Sequence, residues 1–352
     1  MAGRLIIAGM LKKTMNLSIW KETMPMSKLL EGKVAVVTGS GQGIGRAIAI
    51  AFAEQGAKVI TNNRTPGSTG PSMVTEEQIK SMPADKQEWY RKGYATESGD
   101  AATTAQAIRD KGYDATPVFC DISKIEDAER LIQTTIDTYG RIDILCNVAG
   151  SFGFADIEDI SPELWDKVNN IKPRGYFYTM KYAIPHMRKQ KYGRIILCAS
   201  PAFTGGPLKH AEYVAANAGV VGLTRAAACE LSADGITANC FAPGALTRAS
   251  YELDAARLTY DSPILIKGKD FMEADTTPGP EYIAPFVTYL ASENSGRING
   301  STFFVVGNMV GMYPNPVFDK MIRKEAGEPW DVNELMEKVE TEFIPGYKSI
   351  AD

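Results

Sequence analysis

Residues 34–45 read VAVVTGSGQGIG: a four-residue apolar run ends in Thr38 and opens at once into Gly39, Gly41, Gly43 and Gly45 before a helical pattern begins. Such a run is a buried parallel strand feeding a glycine turn and a helix N-terminus. Glycines let backbone N–H groups approach an anion with no side chain in the way, and the positive end of the helix dipole faces the same point. A dinucleotide pyrophosphate is the natural ligand of that geometry, and a purely structural turn is the alternative.

The chain has 352 residues, 44% hydrophobic and 23% charged, the balance of an ordinary globular protein with a substantial core. A formal charge of -4 and no long basic run argue against a nucleic-acid surface and for small-molecule chemistry. Cys120, Cys146, Cys198, Cys229 and Cys240 show no C-x-x-C and no metal-ligand spacing, and read as buried small hydrophobes in a reducing compartment. No metal site is expected. No apolar run has the length of a membrane span, and Leu5–Leu11 is short for a secretory core. Residues 1–30 therefore read as an N-terminal extension with Met26 as an alternative start, and the protein is expected in the cytoplasm.

Strands alternate with helices of ten or more residues from there on, which specifies parallel βαβ units. Strands are expected at 34–38, 57–61, 116–120, 142–146, 194–199, 236–241 and 302–306: a doubly wound α/β fold of the Rossmann type, with seven parallel strands and helices on both faces. A long helix across 162–189 should bend near Pro173. The polar stretch 65–98 reads as an insertion with helical character around 76–91, residues 248–280 as a variable segment, and 313–352 as a tail with helical pieces near 317–324 and 331–342.

The spacing Thr38-Gly39-x-x-x-Gly43-x-Gly45 resembles the TGxxxGxG turn of the short-chain dehydrogenase/reductase family. Further matches keep the family order: Asp121 at a strand end, Asn147-Val148-Ala149-Gly150 for the Asn-Asn-Ala-Gly turn, Ser200 at a strand end with Tyr213 thirteen residues later, and Pro243-Gly244 with Thr247. Together they cover about residues 31–310. The resemblance implies that Gly39, Ser40, Gln42, Gly43, Ile44 and Gly45 hold the pyrophosphate side of a nicotinamide cofactor. It also implies that Asp121 lies beside the adenine, that Ile122, Asn147, Ala149 and Gly150 bind the cofactor, and that Pro243, Gly244 and Thr247 hold the carboxamide. Residues 248–280 would then be a substrate lid, and the chain a homo-oligomer, dimer or tetramer. Where such folds place an acid for the free ribose 2′-hydroxyl, this chain offers Asn62, Asn63 and Arg64. NADP(H) is therefore favoured, with NAD(H) also admitted.

In the family a serine holds the substrate oxygen, a tyrosine transfers the proton, and a lysine four residues after the tyrosine supplies the cation that a phenol, ordinarily titrating near 10, needs in order to act at neutral pH. Ser200 and Tyr213 fill two roles, but the expected lysine is Asn217. Aligning Trp165-Asp166 and Gly175 with the family puts Lys172 where a catalytic asparagine is usual, so lysine and asparagine have changed places. Lys172 is then either the compensating cation or a solvated helix lysine. His210 is a weaker candidate for an auxiliary proton carrier.

The leading reading is an NAD(P)(H)-dependent oxidoreductase moving hydride between nicotinamide and a carbonyl or secondary alcohol. The insertion, the PEYIAPFVTYLAS segment and the tail look similar to the (R)-3-hydroxyacyl-CoA dehydrogenase branch, which makes acyl-CoA a candidate substrate class. The contrasting readings are a non-catalytic dinucleotide-binding subunit, which the missing lysine at 217 makes credible, and altered chemistry such as dehydration or isomerisation.

Overall fold

The structure is a computed structural model that describes residues 28–67, 74–96, 99–205, 209–259, 278–324 and 329–347. The extension with its alternative start at Met26, and residues 260–277 of the expected lid, lie outside the described residues.

The first strand, β1 (Val34–Thr38), lies at the centre of the sheet because both its faces are apolar. Val36 enters one core with Ile60, Leu145 and Val220, while Ala35 and Val37 enter the other with Ile48, Phe52 and Val287. Helix α1 (Gly43–Glu54) follows, then β2 (Lys58–Asn63), the insertion helices α2 (Glu76–Ser81) and α3 (Ala84–Thr96), α4 (Ala101–Asp110), β3 (Ala115–Phe119), α5 (Ile125–Tyr139) and β4 (Ile144–Asn147). The second half carries α6 (Pro162–Asn169), α7 (Tyr176–Gln190), β5 (Gly193–Cys198), α8 (Ala211–Leu231), β6 (Ile236–Gly244), α9 (Arg248–Thr259), a helix at Ala284–Ala291, β7 (Thr302–Val306) and β8 (Met309–Met312). Sheet order is β3-β2-β1-β4-β5-β6-β7-β8. The connection reverses between β1 and β4, so the glycine turn opens into the crevice where ligands of such sheets bind.

The structure differs from the sequence expectations at several points. The seven parallel strands are joined by an eighth, β8, antiparallel to β7. Gly307, at a φ of +54°, reverses the chain in two residues, a conformation that glycine adopts without strain. The long helix does not merely bend but breaks: α6 and α7 flank a wide turn at Asn170–Gly175, and Lys172 is extended at φ -124° and ψ 127°. The residue before a proline is disfavoured in the helical conformation, in keeping with the extended Lys172. The tail is helical at Val332–Glu342 under an Asp331 cap, but 317–324 is not helical. Val317 and Phe318 are exposed there, so no buried face supports a helix. Finally, Cys229 is exposed, unlike the other four cysteines.

Leu30, placed in the extension by its sequence position, is fully buried in the core and donates its N–H to the Gln55 carbonyl. The expected helix of the insertion is two helices, parted at Met82-Pro83. Among the described residues no helix is long and apolar enough to cross a membrane, and no group of three or more His, Cys, Asp or Glu is placed to hold a metal.

Candidate active site

The glycine turn is shaped by close approach. Gly39 has a φ of +65°, and a Cβ there would come within 2.7 Å of the Ala149 backbone, so this turn sits directly on the turn after β4. A Cβ at Gly45 would come within 2.2 Å of the Gly39 carbonyl oxygen, which leaves α1 no room to start with any other residue. Thr38 links the two turns: its hydroxyl donates to Asn147 Oδ1 at 3.1 Å and accepts the Val148 N–H at 3.1 Å. Thr247 Cγ2 stands 3.3 Å from where a Cβ of Gly43 would be, so the expected carboxamide residue is brought to the glycine turn.

The individual cradle residues divide by how free they are. Ser40 is fully buried, donating to the Val37 carbonyl and accepting the Asn62 N–H, both at 2.8 Å, so its hydroxyl holds β2 against the turn. Gln42 Oε1 is a buried acceptor with no partner among the described residues. Asn63 is engaged in starting α4: its Oδ1 accepts the Ala101 N–H at 2.7 Å and its Nδ2 donates to the Thr65 carbonyl. Arg64, by contrast, is exposed at the end of β2. Asp121 accepts from the N–H and hydroxyl of Ser123, and Ile122 is buried. Pro243 and Gly244 end β6 beside Val305 and Val306. A glycine cradle that a Cβ would fill, with an orphaned amide oxygen at its rim, fits a dinucleotide pyrophosphate and its ribose hydroxyls.

Ser200 lies just beyond β5, half-buried, its Oγ accepting the Ala202 N–H at 3.3 Å. Tyr213 is in the first turn of α8, half-buried. Lys172 is 3% exposed. Its ammonium donates to the Cys198 carbonyl at 2.7 Å and to Asn217 Oδ1 at 3.4 Å, and lies 6.0 Å from the centre of the Tyr213 ring. Asn217 is fully buried and donates through Nδ2 to the Tyr213 carbonyl at 2.7 Å. The two exchanged residues thus meet. The break in the helix makes this happen, because an extended Lys172 leaves the register of α6 and passes beneath Gly150, where a Cβ would come within 2.9 Å of Cε.

Three participants are not evident from the sequence. Tyr176 is fully buried one turn after Lys172 and donates from its hydroxyl to the Ala149 carbonyl at 2.9 Å. Its spacing from Lys172 is a signal only once the helix is known to break. Glu212 is fully buried; one carboxylate oxygen accepts the Gly153 N–H at 3.1 Å, the other has no partner among the described residues, and burial pushes its carboxyl up. Phe152 sets its ring edge-on to Tyr213 at 6.0 Å, as His210 does at 5.6 Å. His210 Nδ1 donates to the Gly153 carbonyl at 2.7 Å, and burial pushes the imidazole down to about 4, so it is neutral at pH 7. That ring walls the tyrosine; a group committed to a backbone carbonyl is poorly suited to carry protons.

Comparison with known proteins identifies the family. A family model described as short chain dehydrogenase matches residues 33–88, and one described as Enoyl-(Acyl carrier protein) reductase matches residues 93–308. The chain is 34% identical over 281 residues to Peroxisomal multifunctional enzyme type 2 of Mus musculus, covering 80% of this chain but only 32% of that much longer protein. It is 30% identical over 282 residues to (2S)-[(R)-hydroxy(phenyl)methyl]succinyl-CoA dehydrogenase subunit BbsD of Thauera aromatica, covering 79% of this chain and 96% of that one. A solved short chain dehydrogenase from Mycobacterium avium superposes with a TM-score of 0.68 at 28% identity, over 89% of this chain and 94% of the other. With family models over residues 33–88 and 93–308 and a relative 30% identical over most of its own length, the chain belongs to the short-chain dehydrogenase/reductase family of NAD(P)(H)-dependent oxidoreductases.

Proposed function

We propose that this enzyme interconverts a carbonyl and a secondary alcohol, with Tyr213 as proton donor and acceptor, Ser200 as the hydroxyl that holds the reacting oxygen, and Lys172 as the cation that Tyr213 requires. One observation carries the reading: the buried ammonium of Lys172 reaches Asn217 and lies 6.0 Å from the centre of the Tyr213 ring, which supports a lysine from the other helix as the charge beside the tyrosine. A bound nicotinamide nucleotide supplies the hydride in reduction and receives it in oxidation. In the reducing direction Ser200 donates a hydrogen bond to the carbonyl oxygen, and Tyr213 gives that oxygen its proton as negative charge develops there. The phenolate left behind is stabilised by the nearby ammonium, which is itself held by the Cys198 carbonyl and Asn217.

Four finer points belong to the same proposal. Exposed Arg64 favours NADP(H), since Asn63 is committed to α4. An acyl-CoA substrate is supported by the resemblance of the insertion and tail and by the succinyl-CoA dehydrogenase subunit among the relatives. A homo-oligomer is supported by a groove of about 490 Å³ between the turn at Asn170–Gly175 and α8, lined in part by Phe177, which is 49% exposed. Cytoplasmic residence rests on the sequence argument alone.

The test is turnover. Nicotinamide fluorescence is followed with NADH and NADPH against pools of hydroxyacyl-CoA, cyclic ketones and steroids, in wild type and Tyr213→Phe. Wild type should turn over at least one pool, and Tyr213→Phe should bind nucleotide normally and turn over none. Nucleotide binding by wild type without turnover of any pool favours the non-catalytic reading instead.

A further inference from the structure

The insertion after β2 and the helix after β6 leave opposite ends of the cofactor crevice, yet they share a core of their own. Val74, Ile79, Met82 and Tyr90 from the insertion close over Ala255 of α9, with Trp89 and Tyr251 packed against them. The Trp89 and Tyr251 rings lie 4.8 Å apart. The contact is tightest at Gly93: a Cβ there would stand 2.2 Å from Tyr251 Cε1, so α3 lies flush on that ring. Glycine inside a helix costs about 1 kcal/mol relative to alanine, so its presence needs a packing reason, and the ring supplies one.

From Tyr251 the path to the cradle is short. The N–H groups of Ser250 and Tyr251 donate to the Thr247 carbonyl at 2.8 and 3.4 Å, and Ser250 Oγ accepts the Thr247 N–H while donating to the Ala245 carbonyl. Thr247 in turn faces Gly43. Just after the insertion, the cap of α4 returns to the glycine turn, where a Cβ at Gly41 would meet Asp100 Cα at 2.9 Å.

We infer that Gly93 and Tyr251 are positioning residues for the nicotinamide end of the cofactor: by docking the insertion on α9 they hold Thr247 against the glycine turn. This rests on the reading of that turn as a dinucleotide site and of Thr247 as its carboxamide contact. The insertion is then a brace across the crevice, and what it braces is the half of the cofactor that reacts.

The experiment compares the affinities of NADH, NADPH and ADP-ribose, which lacks the nicotinamide, in wild type, Gly93→Leu, Tyr251→Ala and the double variant. Leucine is a good helix former, so a loss in Gly93→Leu does not come from the helix itself. Gly93→Leu should weaken dinucleotide binding about tenfold and ADP-ribose binding less than about twofold. In the double variant the leucine fills the space of the missing ring, and dinucleotide affinity should return to within about threefold of wild type. Trp89→Ala opens the same contact by removal and should show the same asymmetry, which keeps the test alive if Gly93→Leu does not fold. Unchanged dinucleotide affinity in these variants, or an equal loss for ADP-ribose, overturns the inference. A wild type that binds none of the three ligands overturns the dinucleotide reading itself.

Discussion

The glycine turn and the corner around Tyr213 are neighbours, but they are specified in different ways. At the turn the limits are set by backbone against backbone: Gly39 meets Ala149 and Gly45 meets the Gly39 carbonyl at distances no side chain tolerates. Each residue is therefore tied to its address. On the proposed mechanism the corner requires a positive charge in a small volume, and the extended Lys172 brings one there from the broken helix. Sites defined by close packing fix the residue at a position. Sites defined by charge fix only where the charge arrives.

The sharpest way to break this contrast is Lys172→Ala. Turnover should fall by at least about 100-fold, the scale of a lost proton-transfer contribution, and the pH optimum should move upward because the cation that favoured phenolate is gone. Lys172→Asn combined with Asn217→Lys should recover activity beyond the product of the two single losses, since residues in contact couple. Independent losses, or a pH profile indifferent to Lys172, would show that the charge is not what the corner needs.

Next in size is Gly45→Ala. The added carbon has nowhere to go, so nucleotide affinity should fall ten- to a hundredfold and stability by about 2 kcal/mol. A normal melting temperature together with normal affinity would mean that the turn is not held by packing. A third measurement concerns the wall of the corner. His210 titrates near 4 when folded against an ordinary 6.5, so as pH falls the unfolded chain takes up the proton first. Its contribution to stability is complete above about 6.5 and is lost toward 4, at up to about 1.4 kcal/mol per pH unit. His210→Asn should flatten the acid limb of a denaturant-stability curve, and an identical slope in the variant would remove His210 as the cause. The smallest effect is at the adenosine end: Arg64→Ala should weaken NADPH about fivefold and leave NADH alone. Equal losses for both would leave NADP(H) preference without a residue.

The strand and turn order could be read from the sequence because buried parallel strands are short apolar runs, and here all seven parallel strands fall within a few residues of those runs. The eighth could not. β8 is MVGM with every residue exposed, which carries no hydrophobic alternation. The pair at 172 and 217 was legible as an exchange of residue types, whereas their meeting depends on an extended residue inside a helical run, visible only in backbone angles. Glu212 and Tyr176 gave no signal because a lone polar residue within a helix reads as surface or packing until its burial is known. The partnership of the insertion with α9 was hidden for another reason: Trp89 and Tyr251 are far apart in the chain, and nothing in either segment names the other.

The 3.4 Å contact between Lys172 and Asn217 also constrains how such a site could have arisen. One substitution at a time, a lineage moving from lysine at 217 to lysine at 172 must pass through a chain with lysine at both positions or at neither. Two ammonium groups about 4 Å apart repel by about 4 kcal/mol even in a well-screened interior, a large share of a domain's whole stability. Two asparagines cost little in folding but, on the proposed mechanism, leave the tyrosine without its cation. One route sacrifices the fold and the other the reaction, so the two arrangements are separated by a valley, and descendants on either side should rarely cross back.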